Sequence, residues 1–181
     1  NWLEEIALIE ALKDPIRSEK AFGILVDTYK ERLYWHIRRI VLQHAFADDV
    51  LQNTFIKVFR NLDGFKGESK LFSWMYRIAT NEALTYLKTE AKKGGVPLGD
   101  YQEQQLEGLT ADVYFEGDHI ALSLQKAIAS LPEKQKLVFN MRYYQEIPYA
   151  QMSQILDTSE GALKASYHLA LQKLKKYLIS N

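Results

Sequence analysis

Apolar residues recur along this chain at steps of three and four, and strict alternation of apolar with polar positions is nearly absent. That recurrence matches the 3.6-residue turn of an α-helix, so an all-α protein is predicted. The strongest stripe runs over residues 19–44, where Phe22, Leu25, Val26, Tyr29, Leu33, Ile37 and Val41 share one side of a long helix. A short helix over 2–12 precedes it, Asp14-Pro15 breaks that helix, and Ser18 is placed as the cap of the long one. The next helix, 47–62, opens on Asp48 and Asp49, whose charges suit the positive end of a helix dipole, and it stops at Asp63-Gly64. After a loop over 64–67, a third long helix over 70–92 carries Leu71, Trp74, Met75, Ile78, Leu84 and Leu87, and Gly94, Gly95 and Pro97 end it.

The stripe is lost over residues 94–118, which hold five glycines, one proline and six acids. Such a stretch reads as a flexible acidic linker with a helical turn in its middle, and the domain boundary is placed there. Two helical domains follow from this, 1–93 and 119–181, joined by 94–118. In the second, helical spacing returns over 122–130, 132–144, 148–156 and 160–178. Pro132 and Pro148 mark two of these starts, where a missing N–H costs nothing. Asp157-Thr158-Ser159 is too short a connector for anything but a sharp crossing, and its hydroxyls suit a cap. Helix, tight turn, longer helix is the helix-turn-helix order, which presents its second helix to a major groove.

Charge changes this picture once the chain is divided. The total is neutral, with 23 basic and 23 acidic residues. Residues 1–93 hold 15 basic against 13 acidic, 94–118 hold none against six, and 119–181 hold eight against four. Two basic pieces flank an acidic connector, so a binder of polyanions hides behind a neutral sum. Zero cysteines exclude a disulfide framework, and four scattered histidines supply no zinc cluster. No metal and no cofactor is expected. No apolar run approaches the roughly 20 residues of a membrane span, and residues 1–11 carry three glutamates where a signal segment would be basic. A cytoplasmic protein is expected. Catalysis finds no support either: the adjacent pairs Asp48-Asp49 and Glu4-Glu5 point about 100° apart on a helix and do not converge on a substrate, and no phosphate-binding glycine loop or nucleophile motif is present.

Two stretches carry candidate binding chemistry. On the 47–62 helix, Asp49, Gln52, Asn53 and Phe59 fall at three-, four- and seven-residue spacings and share a face mixing polar anchors with apolar area. Over 65–81, Phe65, Phe72, Trp74 and Tyr76 are interleaved with Lys66, Lys70 and Arg77. Holding unstacked bases requires rings, and phosphates require cations, so this composition suits a nucleic-acid strand. The same residues also read as core rings under a solvated lysine face. Phe65, in a loop between glycines, is harder to place in a core than Phe72 or Ile78.

At this point the chain resembles a known family over both domains. The block ADDVLQNTFIKVFRNLDGFKGESKLFSWMYRIATNEALTYLKTEAKK at 47–93 is similar to the second domain of the extracytoplasmic-function sigma factors, promoter-reading subunits of bacterial RNA polymerase. The block LPEKQKLVFNMRYYQEIPYAQMSQILDTSEGALKASYHLALQKLKKYL at 131–178 resembles their fourth domain. The resemblance implies that the chain binds core polymerase through the clamp helices of the largest subunit and through the flap, with Asp49, Gln52, Asn53, Phe55 and Phe59 at the clamp. It further implies recognition and opening of the minus-ten element by Phe65, Lys66, Ser69, Lys70, Trp74, Arg77, Ile78, Asn81 and Lys88, with the 64–70 loop cradling a flipped base. At the minus-thirty-five element, Arg142, Thr158, Ser159, Lys164, Ala165 and His168 are the implied contacts. An anti-sigma factor is a common partner in this family and is implied here by the same resemblance.

Departures from the family pattern are specific. Asn53 stands where an acid is usual, so any ion pair there gives way to an amide hydrogen bond. In the last helix Ser166, Leu169 and Leu171 occupy arginine positions, whereas Lys164, His168 and Lys173 are kept. Leu163, Tyr167, Ala170 and Leu174 share its packing face, leaving Lys164, Ala165 and His168 outward. His168 also reads as a plain surface histidine. A stand-alone helix-turn-helix regulator explains the last 60 or so residues as well, but gives no role to the Gln52 face or to 65–81. A structural helical adaptor explains neither basic piece.

Overall fold

In a computed structural model, described over residues 2–107 and 119–180, every regular element is a helix. The order is α1 (Trp2–Lys13), α2 (Ser18–Val41), α3 (His44–Arg60), a 3-10 turn (Leu62–Gly64), α4 (Leu71–Lys93), α5 (Leu98–Glu107), α6 (His119–Ala129), α7 (Glu133–Tyr143), α8 (Tyr149–Leu156) and α9 (Glu160–Ser180). Packing divides the chain into two compact units, residues 1–84 and 85–181.

In the first unit, local signals set the corners and apolar burial sets the core. Asp14, not Ser18, turns the chain between α1 and α2. Its Oδ1 accepts the Ile16 and Arg17 N–H groups at 2.8 and 3.4 Å, and its Oδ2 accepts Arg17 Nε at 3.1 Å. Those bonds hold the Asp14 carboxyl below its usual range. Helix α2 ends on Leu42 in the left-handed region (φ 67°), whose N–H closes on the Arg38 carbonyl. A side chain at that φ costs roughly 1–2 kcal/mol, and the corner is braced by the buried Arg38, whose Nε donates back to the Leu42 carbonyl at 3.0 Å. The turn is so tight that α3 starts at His44, three residues before the expected start.

Leu12, Leu25, Val58, Leu62, Phe65, Leu71 and Met75 meet in one cluster, with Trp74 and Ile78 packed against its edge. Each fully buried large apolar side chain contributes roughly 1.5–3 kcal/mol. Between α2 and α4, Thr80 Oγ1 donates to the Tyr76 carbonyl at 2.7 Å, so its lone pair accepts from His36 Nε2 at 2.8 Å. His36 is thus the neutral Nε2–H tautomer. Burial, helped by the nearby charge of Arg39, pushes its pKa down to about 3.

The second unit begins within α4. The stretch read as a linker contains a ten-residue helix, α5, longer than the single turn expected; the rest of it, 108–118, lies outside the described residues. The physical reason for α5 is an anchor: Pro97 receives the Tyr101 N–H at 3.0 Å, and the Tyr101 ring is buried. Helices α6, α7 and α9 close on Ala127, Ile128, Leu131, Phe139, Ala170 and Leu174. Phe139 is stacked between Tyr143 at 5.2 Å and Tyr167 at 5.8 Å. Pro132 and Pro148 stand one residue outside α7 and α8, as their N-caps. Between α8 and α9, Asp157 takes the left-handed conformation (φ 51°) and its N–H caps the Ser153 carbonyl. That single residue turns the chain sharply enough to make a helix-turn-helix.

Candidate binding surfaces

The first surface lies on α2 and α3. Asp49, Gln52 and Asn53 are exposed on α3, as their spacing predicts. Phe59 is 52% exposed and Ile56 40%, which is unusual for side chains this apolar. Phe55, expected among the contacts, is buried beneath them with its ring edge-on to Phe22 at 6.3 Å; Phe22 meets Phe59 at 5.1 Å. Phe22, Val26, Gln52, Phe55, Ile56 and Phe59 wall an open groove of ≈ 650 Å³. An apolar floor with an amide at the rim is the shape into which another protein's helix lays its apolar side. The groove's α2 wall was not foreseen. Phe22 and Val26 lie in the apolar stripe of α2, and the stripe alone does not say which members are covered.

The second surface surrounds Trp74. Here one expectation is corrected: Phe65 does not stand out from its loop to receive a base. The 3-10 turn Leu62–Gly64 rolls the chain inward, Lys13 Nζ holds the Phe65 carbonyl at 2.7 Å, and the ring is only 3% exposed among Leu12, Leu62 and Leu71. Its role is to back Trp74, whose ring centroid lies 5.1 Å away. Trp74 and Ile78 are half-buried and, with Lys57, Asn61 and Gly64, line a small cleft of ≈ 310 Å³. Phe72 is buried, with the Arg32 guanidinium over its ring at 4.5 Å, as the core reading had it. Lys66, Lys70, Arg77 and Asn81 are exposed, and Ser69 is half-exposed, its hydroxyl donating to the Lys70 carbonyl at 3.3 Å. Lys88 is exposed farther along α4, in the second unit.

Sequence reasoning missed Lys57 and Asn61. They sit one helical turn apart at the end of α3, and the Asn61 Nδ2 donates to the Lys57 carbonyl at 2.8 Å. Lys57 also forms an ion pair with Glu82 of α4. The only signal for them was the i, i+4 spacing at a helix end, which is common to most surface helices.

The third surface is the helix-turn-helix. Leu163, Ala170 and Leu174 are buried and Tyr167 is half-buried, so Lys164, Ala165 and His168 face solvent near the start of α9 as the spacing predicts. Leu169 (46%) and Leu171 (43%) are exposed at two of the departures noted above. Ser159 caps α9, its Oγ accepting the Ala162 N–H at 3.2 Å. Thr158 is different. Its hydroxyl hydrogen goes to the Leu156 carbonyl at 3.0 Å, so it braces the turn and cannot donate outward from this position. Arg142 is half-buried, donating to the Ile147 carbonyl at 3.4 Å. Among the described residues, no group of acids and histidines could hold a metal ion, and no helix is long and apolar enough to cross a membrane.

Comparison with known proteins matches two separate regions of the chain. Residues 25–93 match the model of Sigma-70 region 2, and residues 121–174 that of Sigma-70, region 4. Among curated relatives, the chain is 31% identical to the ECF RNA polymerase sigma factor SigW of Bacillus subtilis, over 88% of this chain and 90% of that protein. It is 26% identical to the ECF RNA polymerase sigma-E factor of Haemophilus influenzae, over 96% of this chain and 94% of the relative. The fold is similar to CnrH, solved in complex with the cytosolic domain of CnrY, with a TM-score of 0.70 at 18% identity, covering 98% of both chains. It is likewise similar to the sigma factor RpoE of Bartonella quintana, solved with the anti-sigma factor NepR, with a TM-score of 0.68 at 19% identity, covering 88% of this chain and 97% of that one.

Proposed function

Because the chain belongs to the extracytoplasmic-function sigma factors, as its 31% identity to a full-length member over nine-tenths of that member's length shows, we propose that it binds core RNA polymerase and directs transcription initiation at specific promoters. Residues 1–93 act as the domain that engages the polymerase clamp and opens the minus-ten element. Residues 119–181 act as the domain that reads the minus-thirty-five element and meets the flap, and 94–118 tether the two. The protein works in the cytoplasm as an initiation factor, and the bond-making chemistry belongs to the polymerase.

One observation carries this reading: Trp74 is propped on a buried Phe65 at a cleft that Lys57 also lines, with exposed Lys70 and Arg77 about one helical turn away along the chain. A ring fixed from behind presents its free side to a base without paying to order itself, and base stacking on such a ring is worth roughly 1–3 kcal/mol. The cations beside it neutralise the strand's phosphates. The α2–α3 groove supplies the protein-binding half of the task, with Gln52 and Phe59 at the polymerase. On α9, Lys164 and His168 reach the major groove while Arg142 and the Ser159 hydroxyl take phosphates. An anti-sigma factor that covers the same surfaces is the expected inhibitor, in keeping with the NepR complex of the Bartonella quintana protein.

Reconstitution tests the reading. Purified protein added to sigma-free core polymerase is expected to start transcripts at fixed positions on a panel of bacterial promoters, and changes in either promoter element should abolish those starts. Tight sequence-specific DNA binding without core enzyme, together with no initiation when core is present, would instead establish a stand-alone regulator.

A further inference from the structure

Helix α9 carries no arginine, yet two cations of the second unit converge on one ring. The Arg142 guanidinium of α7 lies over Tyr149 at 4.9 Å, and the Lys164 ammonium of α9 lies over the same ring at 5.7 Å. Tyr149 is the first residue of α8, so all three helices of the helix-turn-helix region contribute one member. Neither cation is paired with a carboxylate among the described residues, and Arg142 is already restrained by its bond to the Ile147 carbonyl. Two like charges repel. The ring's electron-rich face is what draws them to one place, at roughly 0.5–1 kcal/mol each in an exposed setting.

We propose that Tyr149 is a positioning residue: its ring gathers Arg142 and Lys164 into one cationic site at the DNA, Arg142 on the backbone and Lys164 entering the adjoining major groove. The inference rests on the assignment of residues 119–181 to minus-thirty-five binding. In an arginine-rich recognition helix a single cation more or less matters little. Here phosphate neutralisation depends on few groups, so ordering two of them in advance removes much of the entropy cost of each contact. The ring, not the hydroxyl, does this, and a phenylalanine would serve.

Holoenzyme made from the full chain and core polymerase is measured for promoter affinity over a series of salt concentrations. Tyr149→Leu is expected to weaken binding about fivefold to tenfold and to flatten the slope of log affinity on log salt by about one. Tyr149→Phe is expected to keep both. In a background carrying Arg142→Ala and Lys164→Ala, Tyr149→Leu should cost nothing further, because no cation remains to be placed. The proposal is overturned if Tyr149→Phe loses as much as Tyr149→Leu, if Tyr149→Leu changes nothing, or if its loss persists in the double-alanine background, which would mark a folding defect. Failure of the underlying assignment shows separately: wild-type holoenzyme would then bind equally well to a promoter with its minus-thirty-five element scrambled.

Discussion

In the first unit the side chains offered to partners are aromatic and rest on the core, Phe59 against Phe22 and Trp74 against Phe65, whereas the second unit offers scattered cations, two of them grouped only by the Tyr149 ring. The two kinds of surface differ in what they can do. A ring backed by packed neighbours is ordered before it binds, and its stacking or burial is little screened by salt. A lysine or arginine on a helix face gains its affinity from displaced counterions, so it weakens steeply as salt rises. The first unit can therefore hold a helix or an opened strand on its own surface energy. On the proposed function, the second is expected to bind DNA weakly alone and to gain its useful affinity by being carried to the promoter on the same enzyme, which raises its local concentration.

Four substitutions press on this contrast. Phe65→Ala has the largest expected effect, because it empties a core site: the first unit should lose roughly 3–5 kcal/mol of stability, measured by chemical denaturation, and promoter opening would fail with it. Trp74→Ala should leave core-polymerase affinity and fold in place while cutting open-complex formation by about tenfold to a hundredfold, the worth of roughly one stacked base; permanganate reactivity of unpaired thymines in the minus-ten region reads this directly. A Phe65→Ala protein that folds normally, or a Trp74→Ala protein that opens promoters normally, would erase the distinction between the backing ring and the working ring. Phe59→Ala removes exposed area at the groove and is expected to weaken core binding by about tenfold, the order of a central interface residue, with no change in thermal unfolding. Smallest is Leu171→Arg on α9, which restores a cation at an exposed position. It should strengthen promoter binding a few-fold at low salt and steepen the salt slope by about one.

Much of the molecule was legible in the order of its residues, for reasons that the errors clarify. Leu163, Ala170 and Leu174 are buried and Lys164 and His168 exposed because one helical face of α9 must be covered, and periodicity reports that directly. The Asp49, Gln52, Asn53 and Phe59 face was visible for the same reason. Phe65 was misplaced because loop residues have no period: whether a ring between glycines turns in or out depends on the 3-10 turn at Leu62–Gly64 and on Lys13, 52 residues away, taking its carbonyl. Thr158 was expected among the minus-thirty-five contacts, but its hydroxyl hydrogen is committed to the Leu156 carbonyl, a choice that spacing does not reveal. The α5 helix hid in an acidic, glycine-bearing stretch because its anchor is the single buried ring of Tyr101.

The amino-acid sequence alone settled that this protein is helical, that it carries a helix-turn-helix, and which helix faces are polar, since these depend on interactions between residues three and four apart. Tertiary packing decided the rest: that Phe65 serves as a backing for Trp74, that Phe22 of α2 completes the groove of α3, and that Arg142 and Lys164 meet over Tyr149. Each of those is a contact between residues on different elements, whose closeness is fixed only when the apolar surfaces of those elements close on one another.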